Sequence, residues 1–273
     1  MKSIAVLLTV HNRKEKTLRC LQNLFKQEIP VGYQMDVYLT DDGCTDGTPE
    51  AIRTQYPQIH IIKGDGNLFW NRGMYKAWEA AAKNKDYDFY LWLNDDTYIY
   101  INAIQSVLKC AYYTDEKSII CGVTCSISTG EVTYSAYYRK KKLIPNGSLQ
   151  KCDTICGNFV LVPQYVYKKI GMLDWTFRHA IGDHDYSLRA IENGIRCYIT
   201  PCYIGNCENT FMPPKWALKT TPIIKRFKIL YSPLGYAEPI PFFIYEKRHF
   251  GVLTAMKHFI TIHLRALFPQ LWK

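Results

Sequence analysis

Three pairs of carboxylates stand where strands or loops should end. Asp95 and Asp96 close the run Phe89-Tyr90-Leu91-Trp92-Leu93-Asn94, Asp41 and Asp42 close a second apolar run at 35–40, and Asp183 and Asp185 precede a late helical segment. An apolar run this short, ending in Asn and Asp, reads as a buried strand whose tip emerges at the sheet edge. Ligands of open α/β sheets bind outside the carboxyl ends of the strands. Two like charges side by side are unfavourable unless a cation or solvent relieves them. A hard divalent ion carrying a diphosphate would do so, because magnesium is commonly bound through one or two carboxylates plus phosphate oxygens. Capping of a following helix is the competing role for Asp95 and Asp96, and this run alone does not choose between the two. Together, the three acidic places fit a centre in which one acid holds a nucleoside, one a metal on its diphosphate, and one takes a proton from a nucleophile.

The elements that must position these acids follow from hydrophobic period and turn chemistry. Residues 4–10, 35–40, 59–62 and 89–93 read as strands and 14–27 and 70–83 as helices, with another helix opening after Asp46-Gly47, Thr48 as its N-cap and Pro49 at its first position. That alternation predicts parallel strands joined by right-handed crossovers, a Rossmann-like half. Beyond Asp96 the rhythm changes. A helix is expected at 101–113, a hairpin from 119–127 and 131–138, a basic solvated loop at 139–142, a strand at 155–162, short helices at 166–170 and 185–193, and a last strand at 195–200.

The composition, 48% hydrophobic and 21% charged, excludes wholesale disorder. Residues 215–273 carry ten Lys or Arg against Glu238 and Glu246, so a net +8 of the chain's +10 lies there. Such a patch implies an anionic partner. Met1-Lys2-Ser3 leads straight into a short apolar run followed by His11-Asn12-Arg13, with no signal-peptide pattern, so the ten cysteines are expected as reduced thiols in a cytoplasmic protein. Their spacing lacks the two-residue interval of common zinc knuckles. No apolar run approaches the length that spans a bilayer.

Four segments in order carry a resemblance: Leu8-Thr9-Val10-His11-Asn12-Arg13, Thr40-Asp41-Asp42-Gly43-Cys44-Thr45-Asp46-Gly47-Thr48, Leu93-Asn94-Asp95-Asp96, and Gly182-Asp183-His184-Asp185-Tyr186-Ser187-Leu188-Arg189-Ala190. Together they resemble the family 2 glycosyltransferases of the GT-A fold, in the bacterial branch with rhamnosyltransferase-like enzymes of surface polysaccharide assembly. The segments 64–73 and 156–159 resemble further parts of that branch. The resemblance implies an α/β GT-A domain over 1–210, with a nucleotide-binding half at 1–100 and an acceptor half at 101–210, followed by a basic, amphipathic helical extension at 211–273.

Carried over residue by residue, it implies that Thr9, His11, Arg13, Asp42, Asn67, Asn94 and Asp95 contact a nucleotide sugar of UDP or dTDP type; Trp70 and Arg72 are candidates for the same donor from their place at a helix start after the Gly-rich turn, where anions are favoured. Asp96 is then the direct ligand of Mg²⁺ or Mn²⁺, and Asp183 is the base of an inverting single displacement onto an acceptor hydroxyl. Two departures accompany it: Asn94 stands where the family's Asp-x-Asp motif begins, and Gly182 replaces the Glu that usually precedes the base. Trp175 and His179 are candidates for the acceptor side, against ordinary packing for the Trp and an even choice for the His. Arg189 is expected to pair with Asp185 four residues earlier, and Trp78 to lie in the core.

Apolar residues among the lysines and arginines of the tail fit an interfacial helix on an anionic membrane, and equally a face packed on the catalytic domain or a homodimer seam. The surface reading suits a glycan or polyprenyl-linked acceptor at the inner face of the membrane. Two other functions compete. A nucleotidyltransferase would need a glycine-rich phosphate loop after the first strand, where Val10-His11-Asn12-Arg13 has none. A non-catalytic basic protein binding nucleic acid or membrane fits the charge, but the chain has no helix-turn-helix, zinc-finger or RNP-type signature. No nucleic-acid partner is expected.

Overall fold

The computed structural model describes residues 1–208 and 213–271. Its elements are β1 (Lys2–Val10), α1 (Lys14–Phe25), β2 (Tyr33–Asp41), α2 (Thr48–Gln55), β3 (His60–Lys63), α3 (Phe69–Asn84), β4 (Phe89–Leu93), β5 (Tyr98–Ile99), α4 (Ala103–Tyr112), β6 (Ser118–Cys125), β7 (Tyr137–Tyr138), β8 (Lys141–Lys142), β9 (Gln150–Cys152), β10 (Phe159–Pro163), α5 (Gln164–Ile170), α6 (Gly182–Glu192), β11 (Arg196–Asn206), α7 (Ile223–Leu230), α8 (Pro239–Phe250) and α9 (Val252–Leu267).

The first four strands pair in parallel in the order β3-β2-β1-β4, with Val6 opposite Val37 on one side and Leu91 on the other. Antiparallel β10 then joins β4 to β6, and β11 runs parallel to β6. Alternate residues serve opposite faces: Ile4, Val6 and Leu8 join Phe89 and Leu91 in one core, while Ala5 and Leu7 join Tyr90, Trp92 and Trp78 in the other. Helices cover both faces, which is why these strands read as unbroken apolar runs. The structure is the mostly parallel, helix-flanked sheet that the resemblance implied.

Several local expectations are corrected. The expected hairpin does turn around 128–130, with the Ser126 N–H donating to the Glu131 carbonyl at 2.9 Å and an antiparallel bridge between Cys125 and Val132. But its first arm, β6, is buried along its whole length, and its second arm joins it through that bridge and the Thr124 hydrogen bonds to Thr133 and Tyr134 instead of as a full strand. The basic stretch at 139–142 is a tight hairpin instead of a loose loop, with Arg139 and Lys140 both at positive φ between β7 and β8. Thr48 is inside α2, and Asp46 does the capping: its carboxylate accepts the Thr48 N–H at 3.1 Å and, across the gap to α1, the Lys14 N–H at 3.0 Å. β11 continues to Asn206, past the expected end at 200.

Residues 213–271 form a helical extension with its own small core of Trp216, Leu230, Ile262 and Ala266. The expected boundary at 210/211 lies outside the described residues. α8 is fastened to the sheet domain by buried charge: Arg248 meets Asp185 at 2.5 Å and Asp174 at 2.7 Å, and His249 lies 3.0 Å from Asp185. Arg189 also binds Asp185, at 2.8 Å, as its spacing predicted.

α3 packs closely against the end of β1. A Cβ on Gly73 would sit 2.1 Å from the Thr9 hydroxyl and 2.8 Å from Thr9 Cβ, so only glycine lets helix and strand approach this far. Gly73→Ala is therefore expected to lower the unfolding free energy by about 1–3 kcal/mol, the range for overpacking, read as a reduced midpoint in urea melts monitored by tryptophan fluorescence.

Candidate active site

Because β1, β2 and β4 are parallel and in register, their carboxyl ends deliver Thr9–Arg13, Asp41-Asp42 and Asn94–Asp96 to one edge. Antiparallel β10 begins at that edge, with the Asn94 N–H donating to the Asn158 carbonyl at 2.9 Å. A cavity of about 770 Å³ opens there, lined on the strand side by Thr9, His11, Arg13, Asp42 and Asn94 to Asp96. Its opposite wall includes His179 and Asp183. Acids from three distant parts of the chain thus share one cleft.

Arg13 organises the acidic end. Its guanidinium spans the pair, 2.8 Å from Asp95 Oδ1 and 2.9 Å from Asp96 Oδ2. Asp95 is almost wholly buried, and burial pushes its carboxyl up to about 6; Asp96 adds to the shift, while Arg13 and the Thr17 hydroxyl oppose it. Asp96 is the more open member, with 23% of its side chain exposed, so it is the carboxylate that can turn an oxygen toward the cavity. One accessible carboxylate, backed by a buried one, fits a hard divalent ion that takes its remaining ligands from phosphate and water. Helix capping, the competing role, does not engage the pair: the next helix, α4, starts at Ala103 after Asn102.

Asp42 is used differently from a simple ligand. One oxygen accepts the N–H groups of Gly66 at 2.8 Å and Leu68 at 3.2 Å, and the other that of Phe69 at 2.9 Å. The carboxylate therefore shapes the loop that leads into α3, and His11 Nδ1 donates to the Asp42 carbonyl at 2.6 Å. Trp70, at the start of α3, lines the cavity and fixes Asn94 through its indole N–H at 2.7 Å.

Asp183 stands in the first turn of α6, where acidic side chains are favoured. Its Oδ2 accepts the Gly157 N–H at 2.8 Å and its Oδ1 the His184 N–H at 2.9 Å, which fixes the carboxylate and leaves a lone pair on each oxygen. Gly182 has a steric reason. A Cβ there would lie 1.8 Å from Asn71 Oδ1, and Asn71 is fully buried because its amide holds the carbonyls of Asp174 and Phe177, each at 2.8 Å. His179 packs on Phe69 and Tyr236, and burial lowers its pKa, against the attraction of Asp183.

Three candidates lie elsewhere. Asn67 is an exposed turn residue outside the cavity lining. Arg72 and Trp175 meet each other: Arg72 Nε donates to the Trp175 carbonyl at 2.8 Å, and its guanidinium lies 4.9 Å from the centre of the indole ring. Arg72 is two residues beyond Trp70 on α3, and residues so spaced do not share a face. Conversely, sequence reasoning missed Tyr134, Glu208, Leu234 and Tyr236 in the lining. The last two come from the extension, and no local signal announces that it folds back to the cavity.

A buried acid raised above its unfolded value disfavours folding where it is ionised, and the penalty fades as pH falls from about 6 toward 4. Asp95→Asn is thus expected to be more stable than the parent at pH 8 by about 2–3 kcal/mol, with the difference vanishing near pH 4. Denaturant melts at the two pH values read this directly.

Residues 5–171 match the family model described as glycosyl transferase family 2. An uncharacterized glycosyltransferase of Rickettsia typhi is 24% identical over 194 residues, covering 68% of this chain and 57% of that protein. A hyaluronan synthase of Streptococcus pyogenes is 27% identical over 112 residues, 40% of this chain and 26% of the synthase, so the chain spans well under two thirds of either relative. Among solved structures, S. aureus TarS 1–349 superposes with a TM-score of 0.55 at 17% identity, over 92% of this chain and 72% of that one. TarS 1–349 in complex with UDP-GlcNAc gives 0.54 at 15%, over 92% and 73%. At such identity these structures speak for the fold alone, but the family model covers well over half of the sequence, and this chain belongs to glycosyl transferase family 2.

Proposed function

We propose that the chain transfers a sugar from a nucleoside diphosphate donor to an acceptor hydroxyl with inversion at the anomeric carbon. The observation that carries this reading is the convergence of Asp42, Asp96 and Asp183 on one cavity at the carboxyl edge of the sheet. The loop stapled by Asp42, with Thr9 and His11 beside it, forms the nucleoside side. Arg13 and the Asp95–Asp96 pair form the diphosphate side. Arg13 already bridges both carboxylates, so it is placed to follow a diphosphate's negative charge once a second cation shares the acids.

A divalent ion, Mg²⁺ or Mn²⁺, would be held by Asp96 with Asp95 behind it, and would supply charge stabilisation to the departing diphosphate. Asp183 holds the opposite wall. Two backbone N–H groups orient it, and its free lone pairs can take the proton of an incoming hydroxyl. His179 is largely buried, with its Nδ1 unpartnered among the described residues and its pKa lowered, so it enters as a neutral neighbour that can accept or donate a hydrogen bond on the acceptor side.

UDP-sugars head the donor panel because the structural neighbour TarS has been solved with UDP-GlcNAc and with UDP. dTDP-sugars follow on the resemblance to rhamnosyltransferase-like enzymes. The acceptor class we propose is a growing surface glycan or a polyprenyl-linked saccharide. A thermal-shift screen of nucleotide sugars with and without Mn²⁺ identifies the donor, since only a ligand preferring the folded state raises the midpoint. With that donor, Asp183→Asn is expected to reduce nucleoside diphosphate release by about 10²–10⁴-fold, while the donor-induced shift stays as in the parent. Parent-like turnover would remove Asp183 from the mechanism.

A further inference from the structure

α9 is apolar on both sides. Ala255, Ile262 and Ala266 face inward and are buried, yet Leu253, Met256, Ile260, Leu264 and Leu267 lie exposed at intervals of three and four residues, Leu253 at 80%. A contiguous exposed apolar stripe of this kind marks an interaction surface. Ile224 on α7 is likewise 83% exposed. The extension's own charge is predominantly basic. Among the described residues of the extension the only acids are Glu238, paired with Arg178, and Glu246, which is buried and hydrogen-bonded to His258. Lys225, Lys228, Lys247 and Lys257 are all exposed.

We propose that this extension seats the protein on an anionic lipid bilayer, with the α9 stripe and Ile224 at the headgroup–acyl boundary and the lysines at lipid phosphates. Such a surface combines apolar area with basic residues, as interfacial helices do. A second copy of the chain suits it poorly: a two-fold interface sets one patch against itself, bringing lysine to lysine. The contact is superficial, since no helix among the described residues is long and apolar enough to cross a membrane.

The same extension reaches the cavity. Leu234 and Tyr236 belong to its wall, in a turn fixed by the Trp216 indole N–H donating to the Gly235 carbonyl at 3.0 Å. On the glycosyl-transfer reading, which this step deepens, a bilayer-seated enzyme receives an acceptor alcohol carried on a lipid. The bilayer binding itself does not depend on that reading.

Full-length protein is sedimented with vesicles of phosphatidylcholine alone or with 30 mol% phosphatidylglycerol (about one lipid in three, a strongly anionic surface). Binding is expected on the anionic vesicles at low salt and should weaken as salt rises. Lys225→Gln/Lys228→Gln should lower the partition coefficient by about tenfold or more, each lysine near such a surface counting for roughly fivefold. Leu253→Ser/Ile260→Ser should reduce it comparably, with thermal midpoint and donor-induced shift unchanged. The proposal is overturned if the parent stays in the supernatant at low salt, if neutral and anionic vesicles bind it equally, or if the stripe variant alters only self-association. Vesicle binding without turnover on any donor would count against the proposed activity alone, and turnover without vesicle binding against this surface alone.

Discussion

Asp95 is a charge where charge is expensive. It sits at the end of a fully buried strand, next to another carboxylate, and the fold tolerates it because one guanidinium reaches both acids. Much of the nearby architecture can be read as support for that arrangement. Arg13 follows β1, its neighbour Lys14 starts α1, and Asp46 ties the start of α1 to that of α2. The basic side chain is thereby presented from a braced turn. A pair of acids balanced by a single internal cation is also poised electrostatically, since any further positive charge brought to the cleft shares the acids with Arg13.

α3 joins the two sides of the cavity. At Gly73 it touches Thr9, at Trp70 it fixes Asn94, and at Asn71 it holds the carbonyls of Asp174 and Phe177 ahead of the Asp183 turn. Gly182 completes that contact by leaving room for Asn71. A residue type that departs from the family pattern therefore has a packing explanation here: a glutamate side chain at this position would have to occupy the space that Asn71 fills. Asp183 is tied to the strand-borne acids along two routes, through α3 and through residues 157–158, where Asn158 accepts from Asn94 and Gly157 donates to Asp183.

The parts of the site that were legible in the sequence are those with local signals. Apolar runs ending in Asp marked the tips of β2 and β4, and the helical segment expected from Asp185 marked α6, which begins three residues earlier at Gly182. What the sequence concealed was direction and long-range return. Arg72 and Trp175 look like binding residues from their places at a helix start and in the loop before Asp183, but helix phase turns Arg72 away from the face that carries Trp70, and the two side chains satisfy each other. β6 was legible as a strand leading into a turn, but its burial on both faces and its parallel pairing with β11 come from segments far along the chain. The bridging role of Arg13, and the arrival of Leu234 and Tyr236 at the cavity, depend on packing between segments far apart in the chain.

The clamp on Asp185 links the helices of the extension to the cavity end of the sheet domain. Asp185 is inaccessible to solvent and is held by Arg189 from its own helix and by Arg248 and His249 from α8, two residues along from Asp183. Stripping partners from an enclosed ion is strongly destabilising, about 3–5 kcal/mol. A version ending at residue 208, before the extension, would strand that anion and loosen α6, the helix that carries Asp183. The extension is thus a structural dependency of α6, and whatever grips it from outside also acts on that helix.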